Sequence, residues 1–280
     1  MDYWAVVVAR NAARHLPQTI DSLLNQKLTP QRITVVDDGS TDETPSILKH
    51  YSEKTTLMSV LHRPNLGYDI RRVPSNINLA WKHNADARIN TSYFMISGDD
   101  CVYSDDYASQ LINRMEANSK VVVSSGHPLS GGSHTREHSP SGSGRMVNCE
   151  FWRTTGGYPI KAGWETWLLY RAAQNGLKAV LYDDLTFDHA RPRGAQHQFT
   201  YWGAAMGGLG YHPLYAMGRI AKNALVRSIG FKGSVNLFRG YLLSEIGSED
   251  SFISPFEQPL RDFVCRQQSQ RISRVVSSLL

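Results

Sequence analysis

The chain has 280 residues, 41% of them hydrophobic, enough to bury a core in one large domain or one domain with an appendage. No apolar run reaches the ~18 residues of a spanning helix, Met1-Asp2-Tyr3-Trp4 carries no basic region, and Ala5 to Ala9 is too short for a secretory leader, so neither a membrane span nor secretion is expected. A net charge of +5 dispersed along the chain argues against a nucleic-acid partner, and Cys101, Cys149 and Cys265, far apart and without a Cys-x-x-Cys pair, argue against a zinc site or disulfide framework and for a reducing, cytoplasmic setting.

The β-branched run Tyr3 to Ala9 reads as a strand, and Leu16, Ile20, Leu23 and Leu24 follow at helical spacing. The alternation continues with Arg32 to Asp37 as strand, Pro45 to Glu53 as helix, Leu57 to Leu61 as strand and Asn76 to Asp86 as helix. Tyr93 to Ser97, Tyr107 to Glu116 and Val121 to Ser125 extend it as strand, helix and strand. This order predicts an α/β fold, a mostly parallel sheet flanked by helices, with its ligand crevice beyond the carboxyl ends of the strands.

Two of those strand ends carry clustered acids. One runs into Asp37-Asp38-Gly39-Ser40-Thr41-Asp42, the other into Gly98-Asp99-Asp100. A carboxylate at a strand end can accept hydrogen bonds from a base imide and a ribose hydroxyl, with Gly39 letting backbone come close, and Asp38 is the candidate for that task. Adjacent carboxylates suit a hard divalent cation that takes its remaining ligands from phosphates, with Asp99 as the direct ligand. Asp42 precedes a helix and reads as its cap, Asp37 as a brace for the loop, and an Asp-Asp pair is also an ordinary turn signal.

Val35-Val36-Asp37-Asp38-Gly39-Ser40-Thr41-Asp42, preceded by Thr19 to Gln26 and followed by Asn65-Leu66-Gly67, closely resembles glycosyltransferase family 2, whose fold is GT-A. The resemblance covers about the first 190 residues. It implies an inverting, metal-dependent enzyme that moves a sugar from a nucleoside-diphosphate donor to an acceptor hydroxyl of a glycan or a lipid-linked glycan. Asp38 would contact the base, Asp99 would hold the metal (Mn or Mg) on the diphosphate, and Ala9, Arg10 and Asn11 would line the nucleotide pocket. The chain departs from the family where Ser97-Gly98-Asp99 replaces the usual Asp-X-Asp, leaving Asp99 and Asp100. It departs again at Ser75-Asn76, where many members have Arg-Asn; Arg71 and Arg72 stand close enough to supply a phosphate-facing charge, or are surface arginines.

Ser130 to Gly144 is rich in Ser, Gly and His and reads as a flap or as a disordered insertion. Beyond it, Gly163 to Arg171 reads as a helix stopped at Gly176, with Glu165 in its first turn. Spacing alone leaves Glu165 either complementing the helix dipole or serving as a base; the family's acidic motif aligns with Glu165-Thr166, which implies the catalytic base. After a strand at Ala179 to Tyr182, His189 resembles the family histidine that completes the metal shell, or is a loop histidine, with Arg191 and Arg193 as candidate phosphate contacts.

The expected organisation is a catalytic domain at 1–198, with its nucleotide-sugar and metal half at 1–126 and its acceptor half at 127–198, and a C-terminal, mainly helical appendage at 199–280. From Gly210 to Gly247, Arg219, Lys222, Arg227, Lys232 and Arg239 face a single acid, Glu245, which suits peripheral contact with the inner face of the cell membrane, or helix packing or a dimer contact. The alternatives in function are a nucleotide-sugar binding protein without catalysis, against which Glu165 speaks, and a nucleotidyltransferase, which would show glycines where Arg10-Asn11-Ala12-Ala13-Arg14 has none.

Overall fold

The computed structural model describes residues 1–129, 139–191, 199–225, 230–244 and 251–277. Two compact units form. One comprises Met1–Tyr158 and Asn175–Arg193, the other Pro159–Gln174 and Gly194–Leu280.

The first unit holds, in chain order, β1 (Tyr3–Ala9), α1 (Leu16–Leu24), β2 (Ile33–Asp37), α2 (Thr44–Lys54), β3 (Met58–His62), α3 (Arg72–Asp86), β4 (Tyr93–Ser97), β5 (Cys101–Tyr103), α4 (Tyr107–Glu116), β6 (Val121–Leu129), β7 (Arg145–Asn148), α5 (Cys149–Thr155) and, after an excursion into the second unit, β8 (Lys178–His189). The strands make one sheet in the order β3-β2-β1-β4-β7-β6-β8-β5. β1, β2 and β4 are buried almost throughout, as strands covered by helices on both faces must be. β3, β2, β1 and β4 run parallel, so their carboxyl ends open on one side.

The other half of the sheet is mixed, which alternation in the sequence does not reveal. β7 runs antiparallel to both β4 and β6, and β5 antiparallel to β8. β7 carries Arg145, 1% exposed, whose guanidinium bonds the carbonyls of Ser141 (2.8 Å) and Pro140 (3.1 Å) and the Tyr158 hydroxyl (3.0 Å). With the Tyr107 hydroxyl on the Gly144 carbonyl at 2.7 Å, these bonds pin the last residues of the polar Ser130 to Gly144 segment; 130–138 lie outside the described residues. α3 begins at Arg72 rather than at Asn76, because Pro74 sits in its first turn, where a missing N–H costs nothing.

The second unit is helical. It holds α6 (Trp164–Gln174), α7 (Phe199–Gly208), α8 (Pro213–Leu225), α9 (Gly230–Leu243) and α10 (Gln258–Ser277). α6 meets α10 through Gln268, buried beneath Tyr170 and accepting from the His212 amide at 2.8 Å, and Arg171 pairs at 3.3 Å with Glu257, the residue that precedes α10. α7 and α9 approach backbone to backbone: a side chain on Gly203 would run into the Leu237 carbonyl, and one on Gly240 into the Thr200 carbonyl. No described helix is long and apolar enough to cross a membrane.

Candidate active site

The parallel register sets Ala9 opposite Asp37 and Val7 opposite Ser97, so the segments that leave β1, β2 and β4 emerge side by side. They are laced together. The Asp38 amide donates to the Ala9 carbonyl (2.9 Å), Asn11 accepts from the Thr41 amide (2.8 Å), and the Asn11 amide donates to Ser40 Oγ (2.9 Å). Asn11 takes the left-handed φ of 47°, which its short polar side chain tolerates. Asp37 braces the loop, accepting from the Ser40 amide at 2.9 Å and lying 3.1 Å from His62 Nδ1. Asp42 accepts the Thr44 amide at the start of α2 (3.0 Å) and the Ala13 amide (3.1 Å), so it ties two loops; the N-cap position of α2 is Glu43, one residue later than the sequence pattern suggests.

Gly39 has φ +72°, and a Cβ there would lie 2.5 Å from Asn65 Cα, against backbone that cannot yield. Gly39→Ala is expected to lower stability by about 2 kcal/mol, read by urea denaturation, through the strained φ and the clash together. An unchanged midpoint would contradict this packing.

Asp38 is 5% exposed and carries the site's densest hydrogen bonding. Arg72 Nε donates to both its oxygens (3.0 Å each), Arg72 Nη2 to Oδ2 (2.8 Å) and Asn76 Nδ2 to Oδ1 (3.1 Å). The bidentate contact holds the Arg72 guanidinium above its ordinary pKa. Arg10 sits between the clusters: its guanidinium donates to the carbonyls of Asp38 and Gly39 and to Asn65 Oδ1 (2.7 Å), while its amide lies 3.5 Å from Asp99 Oδ2. Ala9, Arg10, Asn11, Asp38, Arg72 and Asp99 therefore share one crevice.

Asp99 is 8% exposed, and burial pushes its carboxyl above the usual range, against the pull of Arg191. Arg191 Nη1 lies 3.0 Å from Asp99 Oδ1, its Nε 3.8 Å from Asp100 Oδ2, and its amide donates to Asp100 Oδ2 at 3.1 Å. β8 extends past Tyr182 to His189, which the antiparallel register sets opposite Cys101, and His189 Nδ1 comes 3.5 Å from Asp100 Oδ2 and 2.9 Å from the Arg191 carbonyl. Ligand atoms of Asp100, Cys101 and His189 lie within 4.8 Å of one another. Burial pushes the Cys101 thiol up to about 12, and the hard donors of the set are carboxylate oxygen and imidazole nitrogen. Such a set fits Mn or Mg, provided the Arg191 guanidinium gives way.

Replacing Arg191 by Ala is therefore expected to tighten Mn binding to the nucleotide-free protein about fivefold, the worth of a half-exposed ion pair, read by Mn electron paramagnetic resonance. Unchanged or weaker Mn binding would show that Arg191 does not compete for these carboxylates.

Glu165 is exposed in the first turn of α6, in the second unit. Arg71 pairs with Asp69 at 2.8 Å, while Arg193 and Arg227 lie outside the described residues. Two participants escape the sequence reading. Asn76 on Asp38 had a local signal in the Ser75-Asn76 pair, whereas Cys101 joins the cluster only through the pairing of β5 with β8. A concavity of about 440 Å³ lined by Trp4, Trp81, Arg88 and Thr91 sits at the amino-terminal end of β1 and β4, away from every acid of the crevice, and gathers no comparable chemistry.

Solved structures share this arrangement of strands and helices. S. aureus TarS in complex with UDP-GlcNAc superposes with a TM-score of 0.57 at 14% identity, over 74% of this chain and 65% of that one. The mannosyltransferase PcManGT from Pyrobaculum calidifontis, in complex with GDP-Man and Mn2+, gives a TM-score of 0.57 at 16% identity, over 99% of this chain and 86% of that one. Among curated relatives, the uncharacterized glycosyltransferase YibD of Escherichia coli K12 is 26% identical over 113 residues, 40% of this chain and 30% of YibD. The uncharacterized glycosyltransferase MG025 homolog of Mycoplasma pneumoniae is 31% identical over 65 residues, 22% of each chain, so the match spans less than a third of either curated relative. Residues 4–173, more than half of the chain, match the family model described as glycosyl transferase family 2. With the crevice built at the ends of β1, β2 and β4 of a GT-A sheet, the chain belongs to glycosyl transferase family 2.

Proposed function

We propose that the protein is an inverting glycosyltransferase that carries a sugar from a nucleoside diphosphate to an acceptor hydroxyl, in the synthesis of a cell-surface or lipid-linked glycan. The observation that carries this reading is the convergence of Asp38, Asp99 and Arg10 on one crevice, with two further acidic or imidazole donors, Asp100 and His189, beside it. In this reading residues 1–198 are the catalytic domain, with the donor handled by 1–126 and the acceptor by 127–198. Residues 199–280 meet the inner face of the cell membrane.

Asp38 receives the base and ribose. Arg72 and Asn76 already take up most of its four or so lone-pair sites, so a base N–H that binds there releases a guanidinium N–H, which turns Arg72 toward the diphosphate. Ala9 and Asn11 wall the nucleotide, and Arg191, once off Asp99, has a phosphate within reach as its new partner. Asp99, Asp100 and His189 would hold a divalent cation, which when bound would neutralise charge on the departing diphosphate. Glu165 takes the proton of the acceptor hydroxyl as its oxygen bonds to the anomeric carbon, while the bond from that carbon to the phosphate oxygen breaks and its electron pair leaves with the nucleoside diphosphate.

Proton NMR of the product tests the stereochemistry. An anomeric configuration opposite to that of the donor is the expected result, and retention would overturn the single-displacement reading and with it the role of Glu165.

A further inference from the structure

α9 carries a stripe of large apolar side chains on its exposed face. Its inward face is Gly233, Ser234, Leu237 and Gly240, with Gly240 set against the α7 backbone at Thr200. Its outward face is Phe231, Val235, Phe238 and Leu242, exposed by 80%, 47%, 41% and 52%. These positions follow the i, i+4, i+7, i+11 spacing that draws a single stripe along a helix. α8, packed against α9, repeats the pattern: Leu214 (67% exposed), Gly218, Ala221 and Leu225 (83% exposed) hold the same spacing, while Ala216 is buried. Large apolar side chains lined up along the exposed faces of two neighbouring helices run against the order water imposes, so the outer face suits an apolar medium.

The charges say which medium. Arg219, Lys222, Lys232 and Arg239, all exposed, each stand one residue after a stripe position, which sets them on the same flank of both stripes. No aspartate or glutamate occurs between Phe199 and Ser244. A second copy of this chain would bring no acid from this face to meet those cations, whereas a bilayer with anionic headgroups offers an acyl layer for the stripe and negative charge for its flank. We propose that α8 and α9 lie in the plane of an anionic membrane, with Leu214, Leu225, Phe231, Val235, Phe238 and Leu242 sunk among the acyl chains and the four basic side chains at the headgroups. This rests on the membrane placement suggested above and gives it a defined face.

Vesicle co-sedimentation of the full chain tests it, with phosphatidylcholine vesicles containing about one quarter phosphatidylglycerol. Binding is expected, weakening as salt is raised. Phe231→Glu with Phe238→Glu is expected to lower partitioning about a hundredfold, and Lys232→Gln with Arg239→Gln about twentyfold on anionic vesicles alone. Unchanged circular dichroism and an unchanged nucleotide-sugar thermal shift in both pairs would establish that fold and donor site are intact. No binding to anionic vesicles would overturn the membrane placement altogether. Equal binding by the phenylalanine pair would overturn the stripe alone, as would a dimer in solution that the same pair dissolves.

Discussion

Glu165→Gln is expected to bind the donor with unchanged affinity and to lose turnover by a factor of about 10²–10⁴, the usual contribution of a positioned general base. The substitution keeps the side chain's size and removes its ability to take a proton. An early-turn glutamate also complements a helix dipole, and that role alone predicts a different result: a stability loss of about 0.5 kcal/mol with turnover untouched. Glu165 is exposed, so little packing is lost and the two effects separate. Saturating kinetics give kcat, calorimetry gives donor affinity and thermal denaturation gives stability. A kcat within a few-fold of the parent's would remove Glu165 from the chemistry.

The second large effect falls on Asp38. Asp38→Asn leaves the Arg72 guanidinium, whose side chain is only 14% exposed, without its carboxylate, and turns one of the oxygens that accept from Arg72 or Asn76 into a donor. Breaking a mostly buried pair from one side costs about 3 kcal/mol, which should appear as a lower urea midpoint. The nucleoside diphosphate should also bind about a hundredfold more weakly, since the variant offers one acceptor where base and ribose each need one. A calorimetric titration with the nucleoside diphosphate alone separates this from any effect on sugar or acceptor. If the variant is destabilised yet binds the nucleotide normally, Asp38 is a brace for Arg72 and the base is read elsewhere.

The parallel part of the sheet was legible because local patterns determine it. β1, β2 and β4 are continuous apolar runs that end in polar residues, and in a parallel sheet such ends must lie together; Asp37, Asp38, Asp99 and Asp100 could thus be placed without any knowledge of contacts. Non-local pairing decides the rest. β7 is four residues long and carries a buried arginine, so no hydrophobic period marks it, and its strand character comes from lying between β4 and β6. The apolar run of β8 stops at Tyr182, where Asp183 and Asp184 break it, so the sequence pattern marks the strand only that far. It continues where the pairing with β6 jumps from Gly126–Tyr182 to His127–Thr186, and this irregularity carries the strand on to His189 and places the imidazole beside Asp100. The Arg191 contact with Asp99 belongs to the same class: arginine and aspartate are 92 positions apart, and only the return of β8 along β5 joins them.

Every role proposed above depends on a nucleotide sugar and a divalent cation binding together beside Asp38 and Asp99. Thermal denaturation of the purified chain against a panel of nucleotide sugars, with Mn, with Mg and with EDTA, tests it most directly, because a ligand that binds the native state raises the melting temperature by mass action. One donor is expected to stabilise the protein in Mn or Mg, and EDTA is expected to abolish the shift. If no nucleotide sugar moves the melting temperature with either metal, the donor-site assignment of Asp38 and Asp99 is contradicted.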